Sequence, residues 1–364
     1  MTLSNPCVAF FITPHGYGHA TRAAAIMQSM ANTIPNVYFH IFTQAPLWIF
    51  EESIPNRFQY HSLLTDIGFI QNSPFHENVN ATIDRLKQFY PIPEPFIDQT
   101  ADELRKNRVT CVICDIAPIG ILAAKRANIP SVLVENFTWS WIYQAYQNEN
   151  QEFKTYIELL ESYSNCATYH IQSEPVCEVS ATCNLKTNPV SRKSRTDRLS
   201  TRSMLGINPD DIMILLSIAN LDAEFIANMV IDNRYKIVIP GISPPDPHRS
   251  LLIYLPNPKA YYHPDLINAS DIVISKIGYS TLAEIYYSQA RYLFIPRNKF
   301  PESVPLTNFV KTNMTGMELS IDELLTAKWH IKVQQLLKQP VKSHFGIQNG
   351  AEQITNFLIE KNLI

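Results

Sequence analysis

Short apolar runs of strand length alternate along this chain with segments whose apolar residues recur at helical spacing, and that alternation admits few folds. Val8 to Thr13 reads as a buried strand. After Gly16 and Gly18 a helix is expected from about His19, because Ala20, Ala23, Ala24, Met27 and Ala31 recur at three- and four-residue steps. Val37 to Thr43, Val109 to Cys114 and Ser131 to Val134 are further strand candidates, the last two separated by the helix-like stretch Ile119 to Ala127. Strands joined through helices pair in parallel, since the crossover returns the chain to the same end of the sheet. The second half repeats this order. Its strand candidates are Ile212 to Leu216, Lys236 to Ile239, Leu251 to Leu255, Ile272 to Ser275 and Tyr292 to Ile295, with a clear helix at Ser280 to Ser288.

Two α/β units in tandem fit the length of 364 residues. A weakly periodic stretch from about Gln172 to Met204, holding Asn188-Pro189-Val190, places the hinge. The expected domains are therefore 1–188 and 189–345, followed by a terminal segment 346–364 whose helix runs from about Ala351 to Lys361 after a break at Gly346 to Gly350. Asp66 to Phe96 is rich in Phe, Pro, Asn and Ile without strand alternation, and two readings stand: a substrate-facing insertion or a packed irregular cap.

Composition narrows the function. Charged residues make up 17 %, against about 25 % in average domains, with too many apolar side chains for a disordered chain. The net charge is −3, which gives no basic footprint for nucleic acid. No apolar run reaches the roughly 18 residues a bilayer span needs, and no secretory signal is visible at the N-terminus. Cys111 and Cys114 form a C-x-x-C inside the apolar run VTCVICDI, with no turn between them and no second pair to complete a zinc site. They read as buried strand thiols in a reduced, cytoplasmic protein. Glycine is scarce, ten in 364 residues, where roughly 7 % is usual, so each is expected where backbone geometry demands it.

Gly16 and Gly18 lie between a strand and a helix, where a sharp turn aims backbone N–H groups over the sheet edge. A dinucleotide fingerprint would need a third glycine where Thr21 stands, and an acid after strand two, which ends in Thr43-Gln44. His19 opens the helix, and the positive end of the helix dipole favours a neutral imidazole. It reads either as a general base or as a helix cap; His15 precedes the turn and has no such dipole argument. Asp115 ends its strand on the same sheet edge, either to orient the imidazole or to cap the helix near Pro118. In SKIGYSTLAEI, Ser275 to Ile285, a strand end runs through Gly278 into a helix. Ser280 or Thr281 at the N-cap with Glu284 one turn inside reads as a capping box; with Lys276 nearby it reads equally as an anion site.

These pieces resemble the two-domain GT-B glycosyltransferases related to the UDP-N-acetylglucosamine transferase of peptidoglycan synthesis, and their wording comes nearest to the glycosyltransferase-like N-terminal region of L-arabinokinases. The resemblance rests on GYGHATR (Gly16 to Arg22), CDIAP (Cys114 to Pro118), ENFTWSWIYQAY (Glu135 to Tyr146), NPV at the hinge, SKIGYSTLAEI and FIPR (Phe294 to Arg297), in the family's order over most of the chain. It implies two Rossmann-like domains with parallel sheets facing across an interdomain cleft, and a C-terminal helix packing back toward the N-terminal domain. The N-terminal domain would take the acceptor, with Glu135, Asn136 and Trp139 on that side; the C-terminal domain would hold a nucleoside-diphosphate sugar, UDP-sugar favoured. Glu284 matches the acid that bonds the nucleotide ribose, and Ser275, Lys276, Gly278, Ser280 and Thr281 match the donor loop. Gly16, Gly18 and Ser217 fall at turns facing the donor. His19 matches the histidine of the G-x-G-H turn, with Asp115 as its partner.

The implied reaction is attack of an acceptor hydroxyl on the anomeric carbon with inversion, of hexosyl- or N-acetylhexosaminyl-transferase type, with no cofactor and no metal. The chain carries no Asp-x-Asp, the metal signature of the other glycosyltransferase fold. No kinase activity is carried over. The chain departs from the family at Ser217-Ile218-Ala219-Asn220, which stands where relatives have a glycine-rich turn, so backbone approach to a phosphate is harder there. Ser288-Gln289-Ala290-Arg291 replaces a small-residue turn with glycine and proline. Two other readings follow, a nucleotide-sugar hydrolase using water as acceptor and a non-catalytic sugar-nucleotide binder. Arg192, Lys193, Arg195, Arg198 and Arg202 read as a solvated helix face or as a peripheral membrane contact. Phe137, Trp139, Trp141, Tyr143 and Tyr146 read as a sugar-binding wall or as core. Acceptor identity and oligomeric state are not legible.

Overall fold

A computed structural model describes residues 6–73, 76–218, 234–241, 252–257, 260–297, 299–326, 328–344 and 346–364. The chain divides into two units, Met1–Ser191 with Lys299–Glu302 and Gln348–Ile364, and Arg192–Asn298 with Ser303–Ile347.

The first unit is built on β1 (Cys7–Ile12), β2 (Tyr38–Thr43) and β3 (Phe58–Ser62), then β6 (Cys111–Asp115), β7 (Ser131–Glu135), β8 (Tyr169–Ser173) and β9 (Leu185–Thr187), with a short antiparallel ribbon of β4 (Gln71–Ser73) and β5 (His76–Glu77) outside the sheet. The seven sheet strands are parallel in the order β3-β2-β1-β6-β7-β8-β9. β1, β6 and β7 are buried along their whole length, as a sheet covered on both faces requires. Alternate residues of β1 serve opposite faces. Val8, Phe10 and Ile12 meet Ala23, Ala24 and Met27 of α1 (Tyr17–Thr33), whose alanines let the helix lie close to the sheet. Ala9 and Phe11 join Val112, Cys114 and Leu133 on the other face. That second face is covered by α4 (Glu94–Lys106), α5 (Pro118–Ala127), α6 (Trp139–Gln144) and α7 (Phe153–Ser164); α2 (Trp48–Ser53) and α3 (Val79–Phe89) complete the earlier helices.

The stretch Asp66 to Phe96 is part of this core and is not irregular. It contains the ribbon, α3 and the start of α4, and Ile67, Phe69, Ile83, Leu86, Tyr90 and Ile92 are all buried. The stretch is packed, and of its regular elements the two ribbon strands are short while α3 runs for eleven residues.

The second unit holds α8 (Arg198–Met204), β10 (Ile212–Ser217), β11 (Tyr235–Pro240), β12 (Leu252–Leu255), α9 (His263–Ala269), β13 (Ile272–Lys276), α10 (Tyr279–Tyr286), β14 (Arg291–Ile295), α11 (Ser303–Asn313), β15 (Gly316–Glu318), α12 (Ile321–Leu325) and α13 (Trp329–Leu337). Its six strands are parallel in the order β12-β11-β10-β13-β14-β15. Leu251, expected to open β12, lies outside the described residues. Leu215, Val238, Val273, Leu282, Tyr292 and Phe294 form the centre of its core.

Helix α14 (Gly350–Glu360) packs on α1 in the first unit, burying Ile354 and Leu358. Each such side chain contributes about 1.5–3 kcal/mol on leaving water. A capping box of Asn349 and Glu352 starts it, and Thr355 Oγ1 donates to Ser29 Oγ at 2.9 Å. A side chain at Gly350 would place Cβ 2.1 Å from the Asn188 carbonyl oxygen, so only glycine fits that contact. Asn349 Nδ2 also donates to the Ser191 carbonyl at 2.9 Å, and Val190 is buried in the same core. These bonds carry the first unit three residues past position 188, to Ser191.

Candidate active site

β1 and β6 are neighbours with Ile12 opposite Asp115, so the Gly16 turn and Asp115 leave the sheet at the same edge. Gly16 stands at φ 79°, ψ 171°, which a side chain resists, and no side chain caps the helix that follows. Gly18 sits in the first turn, its carbonyl accepting from Thr21 Oγ1. His19, the third helical residue, is buried and turned toward Asp115, with Nδ1 2.6 Å from Oδ1. The cap reading of His19 therefore gives way. So does the cap reading of Asp115, since α5 has Ala117 at its N-cap and no side-chain bond there.

A third member joins them one turn along α1. Arg22 Nε donates to Asp115 Oδ2 at 2.7 Å and Nη2 to Oδ1 at 2.7 Å, while Nη1 donates to Asn136 Oδ1 at 2.6 Å. Burial alone would push the Asp115 carboxyl up; the charges of Arg22 and His19 and their hydrogen bonds outweigh it and hold the group below the usual carboxylate range. Arg22 Nη2 also approaches His19 Nδ1 at 3.2 Å. The 2.6 Å contact to an ionised carboxylate is the stronger, so Nδ1 is the donor, and in the neutral imidazole Nε2 is then the acceptor nitrogen. Sequence reading quoted Arg22 within a motif but gave it no role; its i+3 spacing from His19 was the available signal.

Beside this edge lies a carboxylate the sequence did not single out. Thr13 Oγ1 donates to Asp66 Oδ1 at 2.7 Å and Trp139 Nε1 to Oδ2 at 3.1 Å. Burial pushes Asp66 up to about 7, with the Asp115 charge adding to the rise and those two hydrogen bonds opposing it. Trp139 is thus buried against Asp66 and the edge of His15. Phe137, Tyr143 and Tyr146 are buried in the same core, and Trp141 alone of the five aromatics is half-buried. Asn136 is buried, and its Nδ2 donates to Glu302 Oε1 at 3.2 Å. Glu135 serves a different network, meeting His170 Nε2 and Gln172 Nε2 at 2.7 Å each.

In the second unit Gly278 is the N-cap of α10, extended at φ −162°, and no side chain caps the helix. The capping box expected of Ser280 or Thr281 with Glu284 is therefore not formed; both hydroxyl residues sit in the first turn, half-buried. Glu284 is drawn away by stronger partners. Arg192 Nη2 and Nε lie 3.0 and 3.1 Å from its Oε1, and His263 Nδ1 lies 2.8 Å from Oε2. Burial raises its pKa, but Arg192 and His263 prevail and keep it below the usual range. His263 Nε2 in turn reaches Ser217 Oγ at 3.3 Å. Ser217, opposite Ser275 in register, ends β10; Ala219 and Asn220 lie outside the described residues. Ser275 Oγ bonds Tyr292 Oη at 2.9 Å and the Lys276 carbonyl at 3.0 Å, so it braces the loop from inside. Lys276 closes β13.

In the basic stretch after the hinge Lys193 and Arg195 are exposed, while Arg192 and Arg202 are buried. Arg192 is paired with Glu284, Arg198 and Arg202 both with Asp271, and Arg195 lies over the Tyr262 ring at 4.0 Å. Among the described residues no group of three His, Cys, Asp or Glu side chains could hold a metal ion, and no helix is long and apolar enough to cross a membrane.

No known-family sequence profile matches the chain. It is 26 % identical over 363 residues to an L-arabinokinase of Arabidopsis thaliana, covering 97 % of this chain and 34 % of that protein; the chain spans about a third of its relative's length. Among solved structures it resembles MurG of Acinetobacter baumannii, with a TM-score of 0.56 and 13 % identity over 98 % of this chain and 99 % of that one. A UDP-glucosyltransferase from Polygonum tinctorium matches with a TM-score of 0.62 at 12 % identity, over 100 % and 99 %. UGT71G1 of Medicago truncatula, complexed with UDP-glucose, matches with a TM-score of 0.59 at 12 % identity, over 99 % of each chain. Two parallel α/β sheets, a glycine turn feeding a helix in each half, and this coverage of whole glycosyltransferase chains give the protein the GT-B fold.

Proposed function

We propose that the chain is a glycosyltransferase that moves a sugar from a nucleoside-diphosphate sugar to an acceptor hydroxyl by inverting displacement. One observation carries the reading: in a GT-B fold, His19 Nδ1 is held 2.6 Å from the ionised Asp115, leaving Nε2 as acceptor nitrogen at the sheet's C-terminal edge. In this proposal the acceptor O–H gives its proton to Nε2 as its oxygen bonds the anomeric carbon. The bond from that carbon to the diphosphate breaks, and its electron pair leaves with the phosphate. Asp115 steadies the imidazolium that forms, while Arg22 fixes the carboxylate in place.

Donor recognition is assigned to the second unit. Glu284 is kept ionised for the two ribose hydroxyls, and the uncapped N-terminus of α10 offers N–H groups and a positive dipole end to the departing diphosphate. A solved structural neighbour holds UDP-glucose, which favours a UDP-sugar. With charge stabilisation supplied by the backbone, turnover is expected to survive chelation by EDTA.

A thermal-shift screen against UDP, GDP, TDP and ADP sugars tests the reading. A ligand at 100 times its Kd stabilises by about 2.7 kcal/mol, and no shift with any of the four would overturn it. Free sugar released at full rate without acceptor would instead mark a nucleotide-sugar hydrolase.

A further inference from the structure

A cavity of about 430 Å³ opens in the first unit on the face of β7 and β8 that α6 and α7 cover, within the range of roughly 300–1,000 Å³ typical of small-molecule sites. Its walls come from these elements and the 178–184 segment, and involve neither Asp115 nor Glu284. We propose that this cavity binds a neutral, hydroxyl-rich ligand the size of one or two sugar rings.

At its polar end Glu135, 2 % exposed, meets His170 Nε2 and Gln172 Nε2 through Oε1. His170 Nδ1 is in turn held by Thr182 Oγ1 at 3.0 Å, and Gln172 Oε1 accepts from the Ser180 N–H at 2.9 Å. The network uses one carboxylate oxygen for support and leaves the other as an acceptor at the base of a cleft open to water, whose walls include the exposed Gln144, Glu161, Glu178, Thr182 and Asn184. The half-buried Trp141 and the buried Phe137 supply aromatic surface for the C–H face of a sugar ring. Further hydroxyl and amide groups line the rest, among them Thr138, Ser140, Gln144 and Asn184.

Charge decides the ligand class. Glu135, Glu161 and Glu178 face the space, and the lining contains neither lysine nor arginine. A phosphorylated or carboxylated ligand would meet repulsion from these carboxylates, with neither lysine nor arginine to offset it and His170 already paired to Glu135. Hydroxyls, which donate to carboxylates and exchange bonds with amides, suit every polar group present. His170 and Gln172 lie in β8, whose alternation is polar on this face, so no apolar run marked the strand in the sequence.

Isothermal titration of the full chain with D-glucose, L-arabinose and N-acetyl-D-glucosamine, beside the 1-phosphates of the same sugars, tests the proposal. At least one neutral sugar is expected to bind, and its 1-phosphate to bind at least about tenfold more weakly. Glu135→Gln is expected to weaken binding by about 10- to 100-fold, as removal of a charged hydrogen-bond partner does. Because Glu135 is buried and its variant can unfold, Trp141→Ala, at a half-buried position, serves as the second variant and should weaken binding with the melting temperature kept. Binding of none of the neutral sugars, equal binding of the phosphates, or unchanged affinity in Trp141→Ala would overturn the proposal. Donor binding followed in the same samples reports the transferase reading separately.

Discussion

His19 Nδ1 and Asp115 Oδ1, 96 residues apart in sequence, meet at 2.6 Å because parallel strands end on one edge of the sheet. If Nε2 takes the acceptor proton, His19→Ala should lower turnover by about 10²- to 10⁴-fold with the fold intact. Asp115→Asn should lower it as well, by releasing the imidazole tautomer. Steady-state kinetics beside circular dichroism would check both. Full activity in His19→Ala would remove the base assignment.

Arg22 tests the electrostatics of the same cluster through stability. It is 2 % exposed and bonds both oxygens of a buried carboxylate. Arg22→Met leaves Asp115 with His19 alone and leaves Asn136 Oδ1 without its donor. Breaking such a pair from one side typically costs about 3–5 kcal/mol. Urea denaturation should show a loss of that order; a loss below about 1 kcal/mol, the range of surface pairs, would contradict the buried geometry.

Asp66 makes stability depend on pH in the opposite sense to Asp115. Burial lifts its pKa from 3.8 to about 7, so between these values the folded chain holds a proton that the unfolded chain has released. Stability from this group is complete below its unfolded value and falls as pH rises toward 7, by at most about 1.4 kcal/mol per pH unit. The Asp115 carboxyl, held low, contributes stability above the ordinary carboxylate range and loses it only in acid. The two windows do not overlap. Asp66→Asn should therefore raise the melting temperature more at pH 8 than at pH 5. An equal change at both values would show that Asp66 is ionised throughout.

The central strands were legible because β1, β6, β10 and β13 are continuous apolar runs, which burial on both faces selects. The strands missed carry a different pattern: β3 is a half-buried edge strand, β8 mixes polar residues into its cavity face, and β9 and β15 have three residues each. His19 and Asp115 were found through turn and strand-end logic. Asp66, His170 and His263 were not, because their roles come from partners 21 to 73 residues distant that no local spacing reveals. Glu284 looked like half of a capping box for the same reason: its spacing is local, but its partners Arg192 and His263 are not.

Gly278 offers a test of donor binding that separates ligand from fold. Its φ of −162° is open to any residue, and a Cβ there would meet no atom of the described residues within 4 Å. Glycine is a better N-cap than alanine, and at this position it also leaves room for a ligand to approach the start of α10. Gly278→Ala should cost no more than about 1 kcal/mol of stability, the price of a poorer N-cap. The added methyl should nonetheless obstruct a diphosphate approaching the helix N–H groups, and weaken UDP binding by at least about tenfold. Calorimetric titration of the variant with UDP measures this directly. Unchanged affinity would place the diphosphate elsewhere, and the donor role of the whole loop, Lys276, Ser280 and Thr281 included, would go with it.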